Sequence, residues 1–280
     1  MATHRDRHDE VEDHDRGLAF DMTTMSRRQA LGLFAFGGLG GLAVLAGCSS
    51  ADDGSASGTT ATADATTTAA STTTGEVPEE TAGPYPGDGS NGPNVLTESG
   101  IVRSDITGSF GSASGVAEGV PLAIDLTIID VAAGGAVLPG AAVYVWHCDR
   151  EGRYSLYSSG ITDQNYLRGV QEADADGKVA FTSIFPAAYS GRWPHIHFEV
   201  YRTLDDATAA GTKMVTSQIA LPEDACREVY ATTGYEQSVT NLNATSLSTD
   251  MVFSDGWSTQ LGTVTGTAAD GMTVTLNVGV

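Results

Sequence analysis

The chain has 280 residues, enough for one or two domains, and its 14 basic and 35 acidic residues give a formal net charge of −21. This balance lacks the basic footprint of a nucleic-acid-binding protein, so we expect no nucleic-acid partner. The acidity favours a soluble surface and disfavours anionic partners.

The first 48 residues are typical of an export signal rather than of a folded domain. Arg27 and Arg28 precede an apolar, glycine-rich run from Ala30 to Gly47, which ends at Cys48. The arginine pair matches twin-arginine export signals, and "LAGC" resembles the bacterial lipobox, in which the cysteine is acylated. We predict a lipoprotein signal peptide over residues 1–48, lipidated at Cys48 and held on the outer face of the cytoplasmic membrane. The alternative is plain secretion after cleavage nearby.

Residues 49–76 are rich in Ser, Thr and Ala and contain no leucine, isoleucine or aromatic residue. A segment of this composition cannot bury a core, so we predict a disordered tether that holds a domain away from a membrane surface. The remaining residues, 77–280, are numerous enough for one substantial core.

Strand signals dominate residues 77–280. The segment "PLAIDLTIID" alternates apolar residues on one face, whereas "AAVYVWHC" is a denser apolar run suited to a sheet covered on both sides. Further strands are predicted in "KVAFTSI", "HIHFEVYR", "MVTSQIAL" and "MTVTLNVGV", and a helix in "PEDACREVYATTG" between Pro222 and Gly234. Short strands separated by Gly, Asp and Pro turns predict a mainly β fold, a β-sandwich with one or two short helices.

The segment "HIHFEV" carries a candidate metal site opposite its apolar face. Side chains alternate along a strand, so His195 and His197 share one face while Ile196 and Phe198 share the other. The two imidazoles lie roughly 6–7 Å apart at Cβ, and one ion can lie between their tips. An isolated H-x-H pattern is as often two histidines on a polar strand face as it is a metal site. We interpret His147, on an apolar strand, as a core or supporting residue.

Two tyrosines lie in loops beside predicted strands. Tyr154 follows the turn in "VWHCDREGRY", and Tyr189 lies in "SIFPAAYSGRWPHIH", six residues before His195. Either tyrosine alone is more typical of packing, but two phenolates with two imidazoles favour a hard trivalent metal such as Fe(III). The phenolates would offset part of the metal's charge and leave the site receptive to a dianionic bidentate ligand such as a catecholate.

The segments "VWHCDREGRY", "DADGKVAFTSIFPAAY" and "GRWPHIHFEV", in that order and spacing, resemble the intradiol ring-cleavage dioxygenases. These are non-haem Fe(III) enzymes, typified by protocatechuate 3,4-dioxygenase and catechol 1,2-dioxygenase. The resemblance spans Glu79 to Gln218 and includes "GPY" at residues 83–85. It implies Fe(III) as cofactor, a small aromatic diol and O2 as substrates, and a cis,cis-muconate-type diacid as product.

Carried over position by position, the resemblance implies four iron ligands, namely Tyr154, Tyr189, His195 and His197. It implies that Arg192 and Gln218 flank the substrate, and that Arg192 stabilises negative charge on the ring carbon that oxygen attacks. It also implies that Tyr189 leaves the metal and accepts a substrate proton. Tyr85 either lines the pocket mouth or belongs to the core.

The sequence departs from the family pattern in three respects. Pro186 is followed by Ala187 instead of glycine, "RWPHIH" replaces "RPxHIH", and the helical dimerisation region of catechol 1,2-dioxygenases has no counterpart before "GPY". These departures remove no ligand. They leave the choice of catechol-type substrate and the oligomeric state open.

Two other functions are open at this point. The first is a β-sandwich binding module without catalysis, against which the retained tyrosines, histidines and Arg192 argue. The second is an H-x-H metalloenzyme of the cupin type, which usually needs a further histidine and a carboxylate. Besides His195 and His197, His147 is the one histidine after residue 48. Cys148 and Cys226 either form a disulfide or remain two buried free thiols.

Cys48→Ala should release the protein from membranes into the medium, because the predicted acyl anchor is attached through this thiol. Immunoblotting of membrane and medium fractions measures the change. Replacing Arg27 and Arg28 with lysines should retain precursor in the cytoplasm and tests the export route separately. Unchanged membrane association of Cys48→Ala would contradict the lipoprotein prediction.

Overall fold

The computed structural model describes residues 75–280, so the predicted signal peptide, Cys48 and almost all of the predicted tether lie outside the described residues. Backbone pairing begins at Glu76, which bridges to Gly279, and the Val77 N–H donates to the Gly279 carbonyl oxygen. Residues 75–280 include no helix long and apolar enough to cross a membrane.

The described residues form a mainly β domain with three short helices. The strands are β1 (Pro121–Asp130), β2 (Ala136–Val137), β3 (Ala142–Trp146), β4 (Arg168–Glu172), β5 (Lys178–Ile184), β6 (His195–Tyr201), β7 (Lys213–Ala220), β8 (Thr263–Thr267) and β9 (Gly271–Gly279). The helices are α1 (Leu204–Thr208), α2 (Glu223–Tyr230) and α3 (Glu236–Asn243). The mainly β prediction is confirmed, and the predicted strand segments correspond to β1, β3, β5, β6, β7 and β9.

The strands form two sheets. The first has the order β2-β1-β9-β8, with β5 also pairing with β1, and the second has the order β4-β3-β6-β7. β1 and β9 run parallel, whereas the neighbouring strands of the second sheet are antiparallel. β6 is therefore a central strand, hydrogen-bonded along both edges.

A hydrophobic core fills the space between the sheets, because the inner faces of the strands are apolar at every second residue. β1 and β6 supply much of it through the side chains of Leu122, Ile124, Leu126, Ile128, Ile196, Phe198 and Val200. The alternation that predicted these strands thus corresponds to their buried face.

The other face of the second sheet is also buried, under segments of chain that cross it. Aromatic and apolar side chains from β3, β6 and the chain before β1 meet there: Tyr85, Leu96, Tyr144, Trp146 and Tyr201. This is the side of β6 that carries His195 and His197, each 2% exposed. The sheet is therefore covered on both sides, as the dense apolar pattern of β3 predicts.

Cys148 and Cys226 are both buried free thiols, which decides between the two alternatives for this pair. Burial raises the pKa of each thiol above its ordinary value, so neither is a thiolate at neutral pH. Their packing is that of small apolar side chains.

Protein that begins at residue 77 should show no thiol reactive with Ellman's reagent while folded, because both sulfur atoms are buried and protonated. Unfolding in guanidinium without reductant should expose both thiols to the reagent. Cys226→Ala is the matched control and should halve the signal after unfolding. A wild-type protein with no reactive thiol after unfolding would contain a disulfide instead.

Candidate metal centre

The imidazole rings of His195 and His197, both in β6, approach each other through their Nε2 atoms. The Nε2 atoms of His195 and His197 lie 3.1 Å apart. A carbonyl oxygen only accepts hydrogen bonds, so His195 donates its Nδ1–H to the Trp193 carbonyl, 2.5 Å away. Its Nε2 therefore presents a lone pair. Trp146 of β3 stacks on the His197 ring, with centroids 4.8 Å apart, and fixes the second imidazole.

Both imidazoles are neutral. Burial, with the nearby Arg192 cation, lowers the pKa of His195 to about 3. Burial together with the neighbouring His195 and Arg192 lowers the pKa of His197 well below its usual range. Neutral imidazole is the form that binds metal ions, so the two side chains are ready to act as ligands without losing a proton.

Tyr154 and Tyr189 bring two phenol oxygens to the same place. The Tyr189 hydroxyl oxygen lies 3.3 Å from His195 Nε2. The Tyr154 ring centroid is 5.9 Å from that of Tyr189 and 6.1 Å from that of His197. Burial, followed by the neighbouring Tyr189, raises the pKa of Tyr154 well above its ordinary value, which a bound cation would reverse.

The Tyr154 hydroxyl is buried and has no hydrogen-bond partner of normal geometry within residues 75–280. An unsatisfied buried hydroxyl destabilises a fold by about 1–3 kcal/mol, a cost that a ligand bound to this atom would offset. Ligand atoms about 2.0–2.2 Å from a metal lie about 3 Å from one another. The 3.1 Å between the two Nε2 atoms and the 3.3 Å between the Tyr189 hydroxyl and His195 Nε2 are close to this spacing. In the described part of the chain no three His, Cys, Asp or Glu could hold a metal together, so this donor set relies on its tyrosines.

The turn before Tyr154 is shaped by a buried carboxylate. Asp149 Oδ1 accepts the backbone N–H groups of Glu151 and Arg153, and the side chain of Arg153 pairs with the same carboxylate. Between them Gly152 has φ +84° and packs against Tyr189, where an added Cβ would lie 3.2 Å from the Tyr189 Cβ. The turn therefore sets Tyr154 and Tyr189 side by side.

Helix α3 supports the loop that carries Tyr189. The Ser238 hydroxyl accepts the Ala188 N–H, and the Asn241 amide donates to the Ala188 carbonyl oxygen. Beyond Tyr189 the loop closes on itself, because the Arg192 N–H donates to the Tyr189 carbonyl oxygen. The sequence does not predict α3, so it does not predict that a helix supports the loop carrying Tyr189.

Arg192 and Gln218 lie beside the histidines and contact each other. Arg192 is 1% exposed and donates from Nη2 to Gln218 Oε1 at 2.7 Å. Gln218 of β7 lies directly opposite His197 of β6, and its amide donates to the Thr81 carbonyl oxygen. The two residues predicted to flank a substrate are thus neighbours at one edge of the candidate centre.

Residues 81–88, here called the covering segment, lie against the other side of the centre. The Tyr85 ring packs on Tyr154 with centroids 4.9 Å apart. Gly83 has φ +67°, a conformation that favours glycine, and a Cβ there would be in van der Waals contact with Cε1 of His197, at 3.4 Å. The predicted site residues within residues 75–280 therefore lie close to one another.

Arg168 holds the covering segment in place, a role that the sequence does not predict. Its Nη1 and Nη2 donate to the carbonyl oxygens of Pro86 and Tyr85, each at 2.9 Å. Its Nε and Nη2 also donate to the hydroxyl and carbonyl oxygens of Ser155. One buried guanidinium therefore connects the covering segment to the residue that follows Tyr154.

His147 lies outside the centre, as its interpretation as a core residue predicts. Its Nδ1–H donates to the Cys148 carbonyl oxygen at 2.8 Å, and its Nε2 lies 2.7 Å from the Ser183 hydroxyl. Because both ring nitrogens are occupied, His147 offers no third imidazole for a cupin-type set.

Residues 96–226 match the family model described as "Dioxygenase". The described domain is also similar to an intradiol ring-cleavage dioxygenase from Tetranychus urticae, with a TM-score of 0.58 and 24% identity. That similarity covers 73% of this chain and 94% of the other, and it shows the fold. The described domain therefore has the fold of the intradiol ring-cleavage dioxygenases. The candidate ligands, Arg192 and Gln218 all fall inside the matched range.

Two curated proteins match shorter regions of the chain. A chlorocatechol 1,2-dioxygenase from Rhodococcus opacus is 40% identical over 55 residues, covering 20% of this chain and 21% of that protein. A catechol 1,2-dioxygenase from a Pseudomonas species is 31% identical over 108 residues, covering 32% of this chain and 33% of that protein. The chain thus spans a third or less of the length of these relatives.

Proposed function

We propose that the domain is a non-haem Fe(III)-dependent intradiol dioxygenase that cleaves a catechol-type ring between its two hydroxylated carbons. The observation that carries this proposal is the convergence of Tyr154, Tyr189, His195 and His197, within a domain that has the dioxygenase fold. Arg192 beside these residues supplies the fixed positive charge that such a reaction needs.

The donor set suits a ferric ion. Phenolate oxygen is a hard anionic ligand that favours Fe(III), and neutral imidazole completes the coordination without adding charge. Tyr154 offers a buried hydroxyl, and His195 offers an Nε2 whose tautomer is set by the Trp193 carbonyl. When bound there, Fe(III) would withdraw electron density from a chelated diolate and make the ring reactive toward O2.

Each remaining role belongs to a named atom of the chain. The Tyr189 hydroxyl oxygen, next to His195, is the proposed acceptor of a proton from one catechol hydroxyl. The Arg192 guanidinium, fixed before the reaction begins, stabilises negative charge that develops on the ring carbon. Tyr85, Gln218 and the covering segment exclude water and orient the ring.

The overall reaction breaks the bond between the two hydroxylated ring carbons and adds both atoms of O2 to them. Catechol and O2 then account for every atom of a cis,cis-muconic acid product, and no further reductant is needed. Catechol, protocatechuate, hydroxyquinol and lignin-derived diols are all candidate substrates for this chemistry.

We place this activity outside the cytoplasm, in the catabolism of aromatic compounds. The support is the export signal with Arg27 and Arg28 and the lipobox cysteine Cys48, which would hold the domain on the outer face of the membrane. The domain would meet small diols there without a membrane contact of its own.

Protein that begins at residue 77 should purify with about one iron per chain and a visible phenolate-to-Fe(III) absorption band. Tyr154→Phe removes one phenolate and should lose the iron or weaken the band, measured by elemental analysis and absorbance. Tyr230→Phe is the matched control. Tyr230 is also buried, but its hydroxyl lies away from the donor set and donates to the Pro186 carbonyl oxygen. Stoichiometric zinc in a colourless wild-type protein would contradict the proposal.

The wild-type protein should convert catechol into cis,cis-muconate, with both oxygen atoms taken from O2. Incubation under ¹⁸O2 followed by mass spectrometry should find two labelled oxygen atoms in the product, because the new oxygens come from the gas and not from water. A yellow semialdehyde would show cleavage beside the diol and would refute the intradiol assignment.

Arg192→Ala should keep iron and colour but lower kcat by about 10²-fold or more, because one preorganised charge is removed. Stopped-flow absorbance with catechol measures the change. Arg227→Ala, which breaks an exposed pair with Glu223, is the control and should keep wild-type turnover. Normal turnover by Arg192→Ala would show that the role assigned to it is wrong.

A further inference from the structure

Asp250 is a buried carboxylate that accepts hydrogen bonds both from the loop that enters β6 and from its own turn. Its Oδ2 accepts Arg192 Nε at 2.9 Å and the Trp193 backbone N–H at 2.7 Å. Its Oδ1 accepts the N–H groups of Val252 and Phe253 and lies 3.4 Å from Arg192 Nη2. Asp250 follows α3, outside the residues that match the dioxygenase family.

The Arg192–Asp250 pair is withdrawn from solvent, with side-chain exposures of 1% and 0%. A charge buried to this degree is unfavourable unless an opposite charge and hydrogen bonds compensate it. Burial alone would raise the pKa of Asp250, but Arg192 and the Trp193 N–H lower it below its ordinary value. The carboxylate is therefore ionised and compensates the guanidinium.

The guanidinium of Arg192 is constrained from two sides. Arg192 donates from Nε to the Asp250 carboxylate and from Nη2 to Gln218 Oε1, at 2.7 Å. A planar guanidinium held by two acceptors has little freedom to rotate about its long axis. The direction in which the positive charge faces the candidate centre is thus set by residues that do not belong to the donor set.

The Asp250 carboxylate is also connected to His195 of β6 through Trp193. The Trp193 N–H donates to Asp250, and the Trp193 carbonyl accepts the Nδ1–H of His195. Asp250 thereby holds the short stretch that carries both the charge stabiliser and the first histidine.

We infer that Asp250 is a positioning residue that aligns the Arg192 guanidinium with the substrate ring. This inference rests on the proposed function for the role of Arg192, but the contact itself does not. The Asp250 carboxylate bonds Arg192 and backbone N–H groups and none of the four candidate ligands, so its effect on the reaction passes through Arg192.

A double-mutant cycle with Asp250→Asn and Arg192→Met tests this, since neither change alters the volume much. Asp250→Asn alone should keep iron and the visible band, leave KM for catechol within about threefold and lower kcat by about 10- to 100-fold, the scale of a misplaced catalytic group. In the Arg192→Met background the same change should lower kcat by less than about threefold, because residues that act as a unit are not additive. Additive effects on kcat would overturn the inference.

Glu223→Gln is the control, since Glu223 is a carboxylate that pairs with Arg227 on the surface, away from Arg192. Its effect on kcat should be the same in the wild-type and Arg192→Met backgrounds. If Asp250→Asn does not accumulate as folded protein, Asp250→Glu keeps the charge but displaces it, and it should also lower kcat at unchanged iron content. Wild-type kcat in a folded Asp250→Asn or Asp250→Glu protein would refute the positioning role.

The melting temperature supplies a readout that needs no turnover. Asp250→Asn leaves Arg192 buried without its counter-charge, so adding Arg192→Met should raise the Tm again. A double variant that melts lower still would show that the two residues do not act as a pair. Failure of the wild type to cleave any catechol would refute the proposed function, and this Tm comparison would still decide the pairing.

Discussion

The whole molecule depends on β6 being a central strand that is buried on both faces. Side chains along a strand alternate between faces, so a shift of one residue in register would exchange the two sets. Ile196, Phe198 and Val200 pack into the core between the sheets. Their packing fixes the register of β6, so His195 and His197 must lie on the opposite face of the sheet. The core that stabilises the fold and the imidazoles that would bind metal are thus specified by the same alternation.

Charged side chains inside the domain join segments that are distant in the sequence. Arg168 connects β4 to Tyr85, which is 83 residues away, and Lys213 connects β7 to Asp88, which is 125 residues away. Lys213 also pairs with Glu199 of β6, at 2.6 Å. Each of these charges has its acceptors within hydrogen-bond distance, as burial requires. Two of the few basic residues of this acidic protein, Arg168 and Lys213, thus hold the segment before β1 over the second sheet.

The parts of the structure that could be predicted from the sequence are those with a local signal. β1, β5 and β6 alternate apolar and polar residues, and the tyrosine and histidine motifs have a characteristic spacing. β8 reads "TVTGT" and is mostly exposed, so it has no apolar pattern to detect. Asp250 lies in "STDMVF", where nothing marks its contact with Arg192, 58 residues away. That contact is decided by how the chain after α3 packs, which local patterns do not encode.

The site draws on both ends of the described domain, and this affects when it can form. Thr81 reaches Gln218 across 137 residues, while Asp250 lies close to the end of the chain. Contacts between such distant residues require large loops to close, and they form late in folding. A chain synthesised only as far as Gln218 contains the four candidate ligands but lacks Asp250, the counter-charge of Arg192. The complete arrangement therefore forms only after segments from Thr81 to Asp250 have packed together.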